Sequence, residues 1–161
     1  GHRNIAYIST DRGVSLSFSV KSRFNVFCDC CRKEGIEPQI VVCKVDHDGH
    51  YQIGDVVTQL MSLPQMPTAI ACQEDGIALP LLFQLERNGF AVPGDISLIG
   101  YDDSFYTNDI GLTTIRQDPA EMARTAARMT LDLIQGHELS PAFVDVPAQL
   151  VVRSSTASVR H

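Results

Sequence analysis

No run of about 18 consecutive apolar residues occurs in the 161-residue chain, so no segment has the make-up of a membrane-spanning helix. The opening Gly1-His2-Arg3-Asn4 leads into no long apolar stretch of the export-signal kind, and a cytoplasmic location is expected. An excess of positive charge is lacking too: the net charge is -6 at pH 7. A bare DNA-binding module is usually basic, so these residues are not expected to grip phosphates themselves. The five cysteines are an odd number without regular spacing, which argues against a disulfide framework and fits free thiols in a reducing compartment. There is no internal repeat and no low-complexity tract. No nucleophile–base pair and no phosphate-cradling glycine loop can be placed, which speaks against an enzyme. No cofactor is called for.

What is present is enough for one domain or slightly more. Hydrophobic residues make up 44% and charged residues 20%, an ordinary balance for a chain that buries a core. Short apolar stretches alternate with amphipathic ones. Residues 4–9, 39–45, 68–73 and 95–100 read as strands, and 19–34, 50–63 and 75–88 as helices. Gly35, the pair Pro64 and Pro67, and Asn88-Gly89 supply the helix stops. Pro80 lies inside the third helix and is expected to kink it or to confine regular pairing to its later turns. Near-uniform apolar strands joined by helices predict an α/β fold, a parallel sheet flanked by helices on both faces. In such sheets ligands sit beyond the carboxyl ends of the strands, which directs attention to 10–18, 45–49, 73–76 and 101–112.

After Asp103 the alternation stops. An irregular loop over 104–112 is followed by a helix over 118–135. Asp118 can cap it, Pro119 suits its first position, Glu121 completes a capping-box pattern and Gly136 can end it. A strand over 143–153 and a frayed polar tail over 154–161 finish the chain. Met122, Ala126, Met129, Leu133 and Ile134 fall near one face of the 118–135 helix. That face needs a partner and is expected to dock on another chain or at a non-native place.

The most informative stretch is Pro93-Gly94-Asp95-Ile96-Ser97-Leu98-Ile99-Gly100-Tyr101-Asp102-Asp103. It delivers a glycine, an aromatic ring and two carboxylates to the carboxyl edge of the sheet. Asp102 there could accept hydrogen bonds from neighbouring sugar hydroxyls or from a ring N–H; a solvated turn with a helix-capping Asp is the plainer alternative. Cys28 and Cys31 form a Cys-x-x-Cys with Cys30 between them, but inside a helix, where small core-facing thiols are expected rather than a redox pair. His47, Asp48 and His50 cluster without the spacing of a closed metal site, so a polar loop is expected and no metal.

Several blocks recur in the order seen in one known family. Gly1-His2-Arg3-Asn4-Ile5-Ala6-Tyr7-Ile8, Pro67-Thr68-Ala69-Ile70-Ala71-Cys72, Asp75-Gly76-Ile77-Ala78-Leu79, Val92 to Asp103, Leu112-Thr113-Thr114-Ile115-Arg116-Gln117 and Leu150-Val151-Val152-Arg153-Ser154-Ser155-Thr156 together resemble the effector-binding core of LacI/GalR-type transcription regulators. The resemblance covers nearly the whole chain. It implies a periplasmic-binding-protein-like fold, with residues 1–115 as the C-terminal subdomain, 116–140 as a crossing helix that packs on the N-terminal subdomain, and 141–161 as a return strand and tail. It implies that Asp102 holds a small-molecule effector, expected to be a carbohydrate, and that Arg23, four residues before Phe27, reaches the cleft with its fork of donors. Glu74 and Asp46 follow strands at the same edge and are further ligand candidates, although Glu74 or Asp75 could instead cap the following helix. Tyr101 or Phe18 would offer a ring face. Gln117 marks a crossing between subdomains. The resemblance also implies a homodimer that meets DNA only through a helix-turn-helix absent from these residues, and only weak effector binding by this half of a cleft. A periplasmic sugar-binding component of a transporter shares the fold and remains the alternative.

Overall fold

In the computed structural model of the chain, residues 1–11 and 17–159 are described. The elements follow in the order β1 (Ile5–Thr10), α1 (Phe18–Lys33), β2 (Gln39–Cys43), α2 (Ile53–Met61), β3 (Ala69–Cys72), α3 (Asp75–Arg87), β4 (Ser97–Ile99), α4 (Thr107–Ile110), β5 (Thr114–Arg116), α5 (Pro119–Ile134) and β6 (Gln149–Val151). Four strands form a parallel sheet in the order β2-β1-β3-β4. The parallel α/β architecture expected from the alternation is therefore the one found.

Alternation along each strand decides which layer it feeds. Ala6 and Ile8 of β1 are fully buried and join Val41, Cys43, Ile70, Cys72 and Leu98 in the main core. Ile53, Val56, Val57 and Leu60 of α2 and Ile77, Ala78, Leu81, Leu82 and Leu85 of α3 close that core. Tyr7, pointing the other way, meets Phe24 and Phe27 of α1 at ring-centroid distances of 5.5 and 4.8 Å. So α1 lies on one face and α2 with α3 on the other. Cys28 and Cys31 are buried in α1 and all five thiols are free; burial pushes both thiols up, away from reactive thiolate chemistry.

Several boundaries differ from the sequence expectations. Helix α3 runs unbroken through Pro80. Buried Ile77, Ala78, Leu81, Leu82 and Leu85 flank the proline on both sides, and their packing holds the helix on course. The 104–112 segment contains the short helix α4, closed by Gly111 at φ 81°. Of 143–153 only Gln149–Val151 is a strand, antiparallel to β5. Pro147 cannot donate to a ladder. The described part of the tail, residues 154–159, is not frayed: Ser155 is buried, donates to the Leu98 carbonyl at 2.6 Å and accepts from the Thr113 amide at 2.8 Å. The Leu98 amide in turn donates to the Ser155 carbonyl at 2.8 Å. Small polar side chains that suggest solvent exposure here stitch the tail to β4.

Helix α5 starts as its sequence predicts, with the Asp118 carboxylate accepting from the Glu121 amide at 2.8 Å and Pro119 in the first turn. Only half of the capping box forms, because the Glu121 carboxylate accepts from Arg124 and Thr125 instead. No residue of α5 is buried, and Met122, Leu133 and Ile134 stand exposed. Among the described residues its apolar face is left largely uncovered, with Met129 half-buried.

Candidate functional site

The strand order turns at β1 and β3: the chain leaves β1 toward β2 on one side and β3 lies on the other. A cleft opens at such a switch point, beyond the carboxyl ends. Gln73, buried directly after β3, bridges it by accepting from the Thr10 amide at 3.0 Å. Its own amide points to the next residue, Glu74, at 3.4 Å.

Asp75 holds this rim together. It is 1% exposed. Its carboxylate accepts from the Thr114 hydroxyl and from the Ser104 amide, both at 2.7 Å, and its own amide donates to the Tyr101 carbonyl at 2.8 Å. The 101–104 loop and β5 are thus both tied to this one residue. The same packing explains Gly100, where a Cβ would come within 2.1 Å of the Asp75 carboxylate. Neither Glu74 nor Asp75 caps α3 through its side chain; Asp75 is inside the helix and Glu74 makes no capping bond.

Past Gly100 the chain takes positive φ at Asp102 (110°) and Asp103 (57°), a conformation that Asp and Asn tolerate better than most residues. Asp103 turns inward. It accepts from Arg153 at 2.7 Å and from the Thr107 hydroxyl at 2.9 Å, and it pairs with Arg116. Burial raises its carboxyl, but the bonds from Arg153, Arg116 and Thr107 outweigh burial and hold it below the usual range. Asp102 turns outward and accepts from the Gln117 side-chain amide at 3.1 Å. Burial pushes its carboxyl up, Arg23 pulls it down, Asp75 and Glu74 push it further up, and the net displacement is upward.

Arg23 of α1 reaches the same rim. Its guanidinium lies 3.8 Å over the Tyr101 ring, a cation–π stack. Its Nε is buried with no hydrogen-bond partner among the described residues. Arg23 and Tyr101 line a cavity of about 420 Å³, with Tyr7, Phe27, Ile99 and Gly100. Glu74 is half-buried and accepts from the Tyr51 hydroxyl. Burial and the Glu74 bond push the Tyr51 phenol above its usual range.

The structure therefore brings Arg23, Tyr101, Asp102, Gln117 and Glu74 to one rim. Two candidates stand apart. Asp46 spends its carboxylate on its own turn, accepting from the Asp48 and His50 amides at 3.0 and 2.9 Å and from Gln52 at 3.0 Å. These bonds, the one from the His50 amide first, hold it below the usual range. Phe18 opens α1 with 89% of its surface exposed and does not line the cavity that Arg23 and Tyr101 share. The rest of its loop, residues 12–16, lies outside the described residues. Asp46, Asp48 and His50 do come within 4.8 Å of one another, on an exposed turn. Tyr51 and Gln73 were not picked out from the sequence. Tyr51 fell inside the predicted 50–63 helix, whereas it precedes α2 and pairs with Val45.

This sheet, with a polar rim at its switch point, defines a ligand-binding core of the periplasmic-binding-protein type. The chain belongs to the periplasmic binding protein-like domain family, which it matches over residues 1–156. Among curated relatives it is 33% identical to the HTH-type transcriptional repressor CytR of Escherichia coli (strain K12), over 99% of this chain and 46% of the relative. Among solved structures, a LacI transcriptional regulator from a Rhodococcus species superposes with a TM-score of 0.82 at 30% identity, covering 100% of this chain and 58% of that one. A LacI-family regulator from Enterococcus faecium, solved with bound ribose, gives a TM-score of 0.78 at 25% identity, covering 99% of this chain and 59% of that one. The resemblance to LacI/GalR-type regulators is borne out. The chain spans about half the length of the curated relatives it matches.

Proposed function

We propose that this chain is the C-terminal half of the effector-sensing core of a cytoplasmic, homodimeric LacI-type transcription regulator, and that the longer protein meets DNA through a helix-turn-helix outside these residues. The observation that carries this reading is the convergence of Arg23, Asp102 and Gln117 on one rim. The effector is a small hydroxyl-rich molecule. Asp102 and Glu74 accept hydrogen bonds from its hydroxyls, Arg23 donates to its oxygens, and the Tyr101 side of the rim offers an aromatic surface. The ribose in the Enterococcus faecium relative supports carbohydrate chemistry. Sensing, rather than turnover, is the task.

The switch follows from Gln117. Its side chain bonds Asp102, and the next residue is the cap of α5. An effector hydroxyl that takes the Asp102 oxygen releases Gln117, and the crossing segment moves with it. In this reading residues 1–115 form one subdomain, 116–140 belong with the other subdomain and 141–161 return, so that the bare face of α5 packs on the other subdomain. Effector binding then shifts the population between two arrangements, with a coupling of roughly 1–3 kcal/mol. The test is calorimetry on the longer gene product with neutral sugars. Asp102→Ala and Arg23→Ala are each expected to weaken binding, and unchanged affinity in both variants would overturn the site. A helix-turn-helix is expected in the coding region upstream of Gly1.

A further inference from the structure

We infer that this rim rejects anions, so that the part of the effector it holds is uncharged or carries an amine and bears neither phosphate nor carboxylate. The inference rests on the reading of the rim as the effector site and adds a charge rule to it. Asp102 is the outward-facing acceptor: burial, Asp75 and Glu74 oppose its negative charge, and Arg23 and the bond from the Gln117 amide favour it. The other cations close by are committed. Arg153 and Arg116 both pair with Asp103, and Arg153 also donates to the Leu112 carbonyl at 2.7 Å. Asp75 has hydroxyl and amide donors but no paired cation among the described residues.

The helix end at the rim strengthens the argument. The N-terminus of a helix is a natural place for a phosphate, and α3 starts at the rim. Its cap residue is Glu74 and its first residue is Asp75, so two acidic residues stand where a phosphate would sit, Glu74 half-buried and Asp75 turned inward to Thr114 and Ser104. Arg23 could attract an anion, but it lies flat on Tyr101 and answers the charge of Asp102. A phosphate brought beside Asp102 and Glu74 would meet two like charges and one shared cation. A neutral polyol meets acceptors in Asp102 and Glu74 and a donor in Arg23 without like-charge repulsion, and an amine gains from the carboxylates.

The test uses the full 161-residue chain, labelled with nitrogen-15, and matched probes: D-ribose with D-ribose 5-phosphate, D-glucose with D-glucose 6-phosphate, and D-glucosamine. Amide shifts of Glu74, Asp102 and Gln117 report on the rim. The neutral and amine probes are expected to move these amides, and the phosphorylated partners to bind about tenfold more weakly or worse at low salt. Raising the salt should narrow that gap, because exposed charges are screened. Glu74→Gln and Asp102→Asn should narrow it as well, with thermal melting confirming that each variant is folded. Phosphorylated probes that bind the rim as well as the neutral ones would overturn the charge rule and leave the rim standing as the effector site. A gap unmoved by salt and by both variants would overturn it too, because size rather than charge would then be selecting. If no probe moves the rim amides, the reading of the site falls and the inference falls with it.

Discussion

Asp102 and Asp103 follow one another at the end of β4, both with positive φ, and their surroundings act on them in opposite directions. The Asp103 carboxyl is held below its unfolded value, so its contribution to stability is present above the unfolded pKa, near about 3.9, and is lost as pH falls through the lowered folded value. Asp103→Asn keeps a residue suited to φ 57° but leaves the half-buried Arg153 without its carboxylate partner. A loss of about 3 kcal/mol is expected in denaturant melts at neutral pH, shrinking in acid. Asp102 carries the reverse sign. Its folded value is raised, so stability falls as pH rises through the window between the unfolded and folded values. Asp102→Asn should therefore stabilise the chain at neutral pH, by about 0.5 kcal/mol or less because the group is open to solvent. The gain should vanish below about pH 4. Gly100→Ala would push a methyl group into the Asp75 carboxylate, and a loss of about 2 kcal/mol is expected.

At the level of elements, the parts set by local chemistry were the legible ones. The alternation gave the four strands of the sheet, and Gly35, Gly89 and Gly136 all stand at positive φ just after a helix. What tertiary contacts decide was not legible. Pro80 is tolerated because the core grips α3 on both sides of it, and Ser155 is buried because β4 needs a partner along its free edge. In the site, Asp102, Arg23 and Glu74 stood out through residue type and place. Tyr51 and Gln73 did not, because a tyrosine and a glutamine carry no signal until the strands they follow are brought side by side. Asp46 looked the same as Asp102 in sequence, an acid after a strand, but its own turn consumes its oxygens. Helix α5 is the element with least tertiary support, so its cap matters: Asp118→Ala should cost about 1 kcal/mol, read as a loss of helical circular dichroism at a lower temperature than in the parent.

For the molecule as a whole, one well-closed core lies between the sheet and α2 with α3, while α5 stands largely uncovered. A rim with only one wall has few groups to surround a ligand, and affinity in the millimolar range is expected, about 4 kcal/mol of binding free energy. Asp102, Arg23, Glu74 and Gln117 are proposed to form the effector rim, and a nitrogen-15 amide titration of the chain with D-ribose, D-glucose and adenosine at millimolar concentration tests this. Saturable shifts are expected, concentrated at Gln73, Glu74, Asp102 and Gln117 and abolished by Asp102→Ala. Amides at these four positions that stay in place with all three compounds, or shifts that persist unchanged in Asp102→Ala, would contradict the proposal.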